Sequence, residues 1–92
     1  MPESRATHAG MMTLRVLLFA HLKDRFGQVA ISVTLPNDST GCALKEALSQ
    51  REPVARPLLE VSRLAVGQEY VAWDHLLKEG DEVAVIPPVS GG

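Results

Sequence analysis

The apolar positions of this chain alternate in several short stretches, and the alternation dictates strands. Thr13 to Ala20 reads TLRVLLFA. Leu14, Val16 and Leu18 fall on one side and Leu17 and Phe19 on the other, which predicts a central strand covered on both faces. Arg15 is the exception, expected near the open start of that strand. Ala30 to Leu35 alternates cleanly, with Ile31, Val33 and Leu35 against Ser32 and Thr34. That is a half-buried strand, antiparallel to the first. Between them, Leu22 and Phe26 are spaced for one helical turn, and Gly27 offers a turn at positive φ. Glu82 to Ile86 sets Val83 and Val85 on one face and Ala84 and Ile86 on the other, again implying a central strand.

One stretch has the helical period. Pro36 to Gly41 breaks the second strand and offers Ser39 or Thr40 as a helix N-cap, without the acidic residue three positions on that completes a capping box. Leu44, Ala47 and Leu48 then form an apolar stripe, with Lys45, Glu46, Gln50 and Arg51 largely off it. Pro53 marks the end. Val54 to Glu60 is expected to make a second short turn, with Leu58 and Leu59 packing under the sheet. Arg63 to Val66 and Tyr70 to Ala72 read as short strands joined around Gly67-Gln68-Glu69. Asp74 to Asp81 is a polar connector holding Leu76-Leu77, and Gly80-Asp81 turns into the last strand.

The element order is β, β, α, β, β, β. The first and last strands are the most apolar, so they are expected side by side in mid-sheet, with the helix across one face. That is an α+β, β-grasp (ubiquitin-like) roll with a mixed sheet of about five strands. Residues 1–11 are read as a disordered extension, 12–86 as the domain and 87–92 as a flexible tail.

Pro87-Pro88-Val89-Ser90-Gly91-Gly92 is the stretch that the rest serves. Neither proline has an N–H for a sheet ladder, so pairing stops there. Six residues reach at most about 20 Å, and the prolines favour an extended path. The glycines remove bulk next to the terminal carboxylate. Such a tail suits threading into a narrow site on another protein.

Composition narrows the choice of function. Ninety-two residues make one small domain, and its 46% hydrophobic content can fill a core although aromatics are only 4%. Nine Lys plus Arg stand against eleven Asp plus Glu, for a formal charge of −2. No basic excess recruits nucleic acid or an anionic membrane, and no apolar run is long enough to span a bilayer. A single cysteine, Cys42, fits a reducing, cytoplasmic setting. Cys42 is expected as a small packed thiol.

Catalytic chemistry is hard to find in the chain itself. His8, His21 and His75 follow no metal-ligand spacing, so no metal is expected. Asp81 beside Glu82 is explained by the Gly80-Asp81 turn. No phosphate-cradling glycine loop or nucleophile elbow is present. What remains is the carboxylate of Gly92. A carboxylate is a poor electrophile, but conversion to an acyl-adenylate gives it a good leaving group. Sulfur could then be installed as a thiocarboxylate, or an amine could attack to form an isopeptide.

The segment Gly80-Asp81-Glu82-Val83-Ala84-Val85-Ile86-Pro87-Pro88-Val89-Ser90-Gly91-Gly92 closely resembles the C-terminus of the sulfur-carrying small subunits of molybdopterin synthase. Leu14 to Gly27, LRVLLFAHLKDRFG, resembles that family's first strand and helical turn. The resemblance runs from about residue 12 to 92. It implies a carrier with no bound cofactor. An E1-like adenylyltransferase uses ATP to activate Gly92, and a cysteine desulfurase relay supplies the sulfur. The large subunit, in a heterotetramer, accepts the tail and makes the dithiolene of molybdopterin from cyclic pyranopterin monophosphate. It also implies a docking patch that includes Phe19 and Ile86. Two other readings stay open: a sulfur carrier for thiazole or tRNA thiolation, and a ubiquitin-like protein modifier.

Overall fold

The period-two pattern of the first strand puts one row of side chains out of water and leaves the other row uncovered. In the computed structural model, which describes residues 10–88, β1 spans Met11–Leu18. Its Met12, Leu14, Val16 and Leu18 are no more than 3% exposed. Leu17, on the opposite side, is only half-buried. The expected strand is therefore shifted by two residues. Phe19 keeps an extended backbone but already serves as the N-cap of helix α1 (Ala20–Phe26), and Ala20 turns the chain at φ 53°. Arg15 lies within β1, exposed, and not at its start. An apolar run alone does not reveal where a strand hands over to a helix.

Gly27 closes α1 in the left-handed region at φ 72°, its N–H donating to the Lys23 carbonyl at 2.8 Å. Strand β2 (Ala30–Pro36) then returns antiparallel along β1, with Leu14 opposite Val33 and Val16 opposite Ile31. Thr40 stands at the N-cap of α2 (Gly41–Arg51), although its side chain makes no capping bond. The Ser39 hydroxyl instead donates to the Pro36 carbonyl at 2.7 Å, holding the preceding turn.

Leu44 and Leu48 of α2 are fully buried. Burial of each such leucine contributes about 1.5–3 kcal/mol. Gly41 lets the start of α2 approach the sheet closely. A Cβ there would stand 2.5 Å from Leu64 Cδ2 and 2.7 Å from the Trp73 carbonyl oxygen. After a 3-10 turn at Pro53–Ala55 comes α3 (Arg56–Glu60), with Leu59 buried and Leu58 partly packed on the core, as the short turn under the sheet required.

Strands β3 (Arg63–Val66) and β4 (Glu69–Val71) are joined by a two-residue loop, Gly67 at φ 59° and Gln68 at φ 71°. Positive φ at both positions is the type I′ turn that matches strand twist. Strand β5 (Glu82–Ile86) has the expected bounds. It enters through a turn in which the Lys78 N–H donates to Asp81 Oδ2 at 2.8 Å, with Gly80 at φ 88°.

The sheet order is β2-β1-β5-β3-β4, with β1 and β5 parallel and the other neighbours antiparallel. The helices cover one face, where β1, β2, β3 and β5 meet α1, α2 and α3 in one apolar core. This is the expected mixed-sheet β-grasp roll. Its first and last strands do lie side by side in the middle. Among the described residues, the expectation that both faces of those strands would be covered is not met.

Candidate functional site

The uncovered face follows from register. Leu17 pairs with Ala84 across β1 and β5, Ala84 with Ala65 across β5 and β3, and Ala65 with Tyr70 across β3 and β4. Ala30 of β2 completes this row opposite Leu17. One apolar row therefore crosses all five strands on the side that carries no helix. On the side towards the tail stand Phe19, Ile86 and Arg63. On the other side the face turns polar, with Arg15 opposite Glu82 and the Thr13 and Thr34 hydroxyls 3.2 Å apart.

Leu17, Phe19, Ala65, Tyr70, Ala84 and Ile86 line a shallow groove of about 340 Å³ on this face. Phe19 is 44% exposed and Tyr70 54%. The Phe19 backbone is nonetheless fixed, because its carbonyl accepts hydrogen bonds from the N–H groups of Leu22 at 3.0 Å and Lys23 at 3.4 Å. The backbone is thus held in place while the ring stays open to a partner. Large apolar side chains grouped on an exposed surface mark interaction sites.

Phe19 and Ile86, named from the sequence as docking residues, share this groove. The structure adds Tyr70, Leu17, Ala84 and Ala65, which sequence reasoning treated only as strand residues. The alternation placed Leu17 and Ala84 on this side of the strands but could not say that the side was open. Arg63 was also unforeseen. Its guanidinium carbon lies 3.9 Å from the centre of the Tyr70 ring.

At the end of β5 the last ladder pair is Arg63 with Ile86. Pro87, assigned to the tail from the sequence, is buried, and Pro88 is exposed. The chain therefore leaves the body after Pro87, beside the apolar end of the groove. Val89, Ser90, Gly91 and Gly92 lie outside the described residues, as do residues 1–9 of the expected extension.

The other chemistry-bearing residues stand apart from this site. Cys42 is exposed, not packed. It lies two residues from Leu44, about 200° around the helix from the buried stripe, and it is Gly41 that fills the close contact. His21 and His75 are exposed, with His21 Nδ1 3.9 Å from Asp24. Among the described residues no three His, Cys, Asp or Glu side chains gather as a metal site, and no helix is long and apolar enough to cross a membrane.

Residues 16–92 match the model of the ThiS family. The chain is similar to the molybdopterin synthase sulfur carrier subunit of Dictyostelium discoideum, at 46% identity over 85% of this chain and 94% of that protein. It is similar to the subunit of the same name in Escherichia coli K12, at 35% identity over 86% of this chain and 99% of that one. Among solved structures, the small archaeal modifier protein 1 of H. volcanii superposes with a TM-score of 0.75 at 26% identity, covering 85% of this chain and 99% of that one.

Proposed function

The chain belongs to the ThiS family, among its molybdopterin synthase sulfur carrier subunits, and from that premise we propose that it carries sulfur on the carboxylate of Gly92. The observation that most supports this is a coincidence of place. Strand β5 runs in mid-sheet, so the chain leaves at Pro88 beside the face of the sheet that the other described residues leave uncovered. A partner seated on Phe19, Tyr70 and Ile86 would hold the domain while the tail enters its active site.

The chemistry belongs to the partners. In an E1-like enzyme, a Gly92 oxygen attacks the α-phosphate of ATP and pyrophosphate leaves. A persulfide relayed from a cysteine desulfurase then attacks the acyl carbon and AMP departs; a second thiol cleaves the acyl disulfide so formed, releasing the thiocarboxylate and leaving a disulfide behind. The product is a thiocarboxylate, a nucleophilic sulfur at the tip of the tail. The same face then docks on the large subunit of molybdopterin synthase, within a heterotetramer. That subunit supplies the substrate pocket and the catalytic lysine. Sulfur passes to cyclic pyranopterin monophosphate, and two carriers are used for each dithiolene. The small subunit alone catalyses nothing; it is the sulfur-donating part of the complex.

A second reading draws on the likeness to a small archaeal modifier protein. The acyl-adenylate is common to both readings, and they part at the attacking group, which is sulfur in one and a lysine amine in the other. Deletion of Gly91 and Gly92 tests the carrier reading. Its melting curve is expected to match that of the full chain, because the core ends at Pro87, while molybdopterin formation with the large subunit stops. Normal product formation by the shortened chain would overturn the reading.

A further inference from the structure

The open face carries a cation stacked on one of its aromatic rings. Arg63 stands opposite Ile86 in the β3–β5 register and stacks over Tyr70. Both of those neighbours line the groove. Among the described residues, the Arg63 guanidinium donates no hydrogen bond and joins no ion pair. Two other arginines differ: Arg51 donates to the Ser32 carbonyl at 3.1 Å, and Arg56 pairs with Glu46 at 3.3 Å. Glu82, which also lines the groove, stands opposite Arg15 in the β1–β5 register at the far end from Arg63. Among the described residues the Arg63 guanidinium thus has no carboxylate partner, at the end of the face where the chain departs.

The stack also decides what that cation can bind. With its carbon 3.9 Å over the ring centre, the guanidinium keeps N–H donors that no other described residue uses. Those donors match the two oxygens of a carboxylate. The ring restrains the side chain, so less freedom is lost when the pair of hydrogen bonds forms.

We propose that Arg63, held by Tyr70, is a specificity-determining contact of the docking face. It selects a partner protein that presents an Asp or Glu side chain beside an apolar one. The carboxylate bonds the edge of the guanidinium, and the apolar neighbour enters the groove between Phe19, Tyr70 and Ile86. This rests on the carrier reading above, and the partner it applies to first is the large subunit.

Calorimetric titration of the purified large subunit with the full chain provides the test. Arg63→Glu should weaken binding at least about tenfold. Arg63→Lys keeps the charge but not the paired geometry and should fall between. Both variants should melt like the wild type, because Arg63 is exposed. Wild-type affinity should decline between about 50 and about 500 mM salt, and Arg63→Ala should flatten that decline. Tyr70→Leu keeps the groove apolar but frees the guanidinium, so its effect should be non-additive with Arg63→Ala. If Arg63→Glu binds as the wild type does, with the same salt dependence, the proposal is overturned and the carrier reading stands. A wild-type chain that does not bind the large subunit at any salt concentration overturns both. Self-association of the chain that Arg63→Glu abolishes would place a second copy on the face and also overturn the proposal.

Discussion

The two sides of the central strands are built from similar residues and carry different duties. On the helical side, Val16, Val83 and Val85 are fully buried. On the other side, Leu17, Ala84 and Ile86 are only half-buried, and Phe19 is open to water. Val85 and Ile86 are neighbours in one strand and differ by a single step of the pleat. Alternation assigns a residue to a face, but only the tertiary arrangement says whether that face is covered. An apolar face that the described residues leave without cover suits cover that arrives from a partner, and its position at the tail exit fits that purpose.

The contrast can be broken most severely at β5. Val85→Asp would place a carboxylate in the core without a partner, at a cost comparable to the whole stability of about 5–15 kcal/mol expected of such a domain. No cooperative melt is expected. Ile86→Asp, and Phe19→Asp as an independent variant, should melt cooperatively near the wild-type temperature yet bind the large subunit at least about tenfold more weakly. If Ile86→Asp and Phe19→Asp both unfold, the two faces are equivalent and the proposed docking role of these residues falls.

A milder change sharpens the comparison from the covered side. Gly41→Ala forces a methyl against Leu64 and the Trp73 carbonyl. It should cost about 1–3 kcal/mol, the usual range for overpacking, and lower the melting temperature by several degrees. Measured well below that temperature, affinity for the large subunit should not change, because α2 lies on the far side of the sheet from the groove. Weakened binding by a fully folded Gly41→Ala would show that the two faces are coupled.

The order of elements was legible because local chemistry punctuates it. Gly80-Asp81 opens β5 and Pro87 closes it, so its bounds agree with the sequence reading. Gly27 and Pro53 stop their helices for equally local reasons. Strand β1 was displaced because its apolar run continues through Phe19 into α1, with no breaker at the junction. The docking pair Phe19 and Ile86 came from resemblance, and the groove supports their grouping. Tyr70 and Arg63 were missed because their meeting depends on the β3–β4 register, which no short-range signal states. The covered role of Gly41 and the exposure of Cys42 depend in the same way on how α2 rolls against the sheet.

The central claim is that Gly92 carries sulfur, and the intact mass of the chain tests it most directly. After incubation with its E1-like partner, ATP, a cysteine desulfurase, cysteine and a thiol reductant, the chain should gain about 16 Da as one carboxylate oxygen is replaced by sulfur, the covalent step that activation permits. Gly92→Ala should acquire this mass more slowly, since a methyl group must pass where glycine offers none. A chain that never gains sulfur, and instead accumulates as isopeptide-linked conjugates with ATP and target protein, would contradict the carrier account and establish the modifier reading in its place.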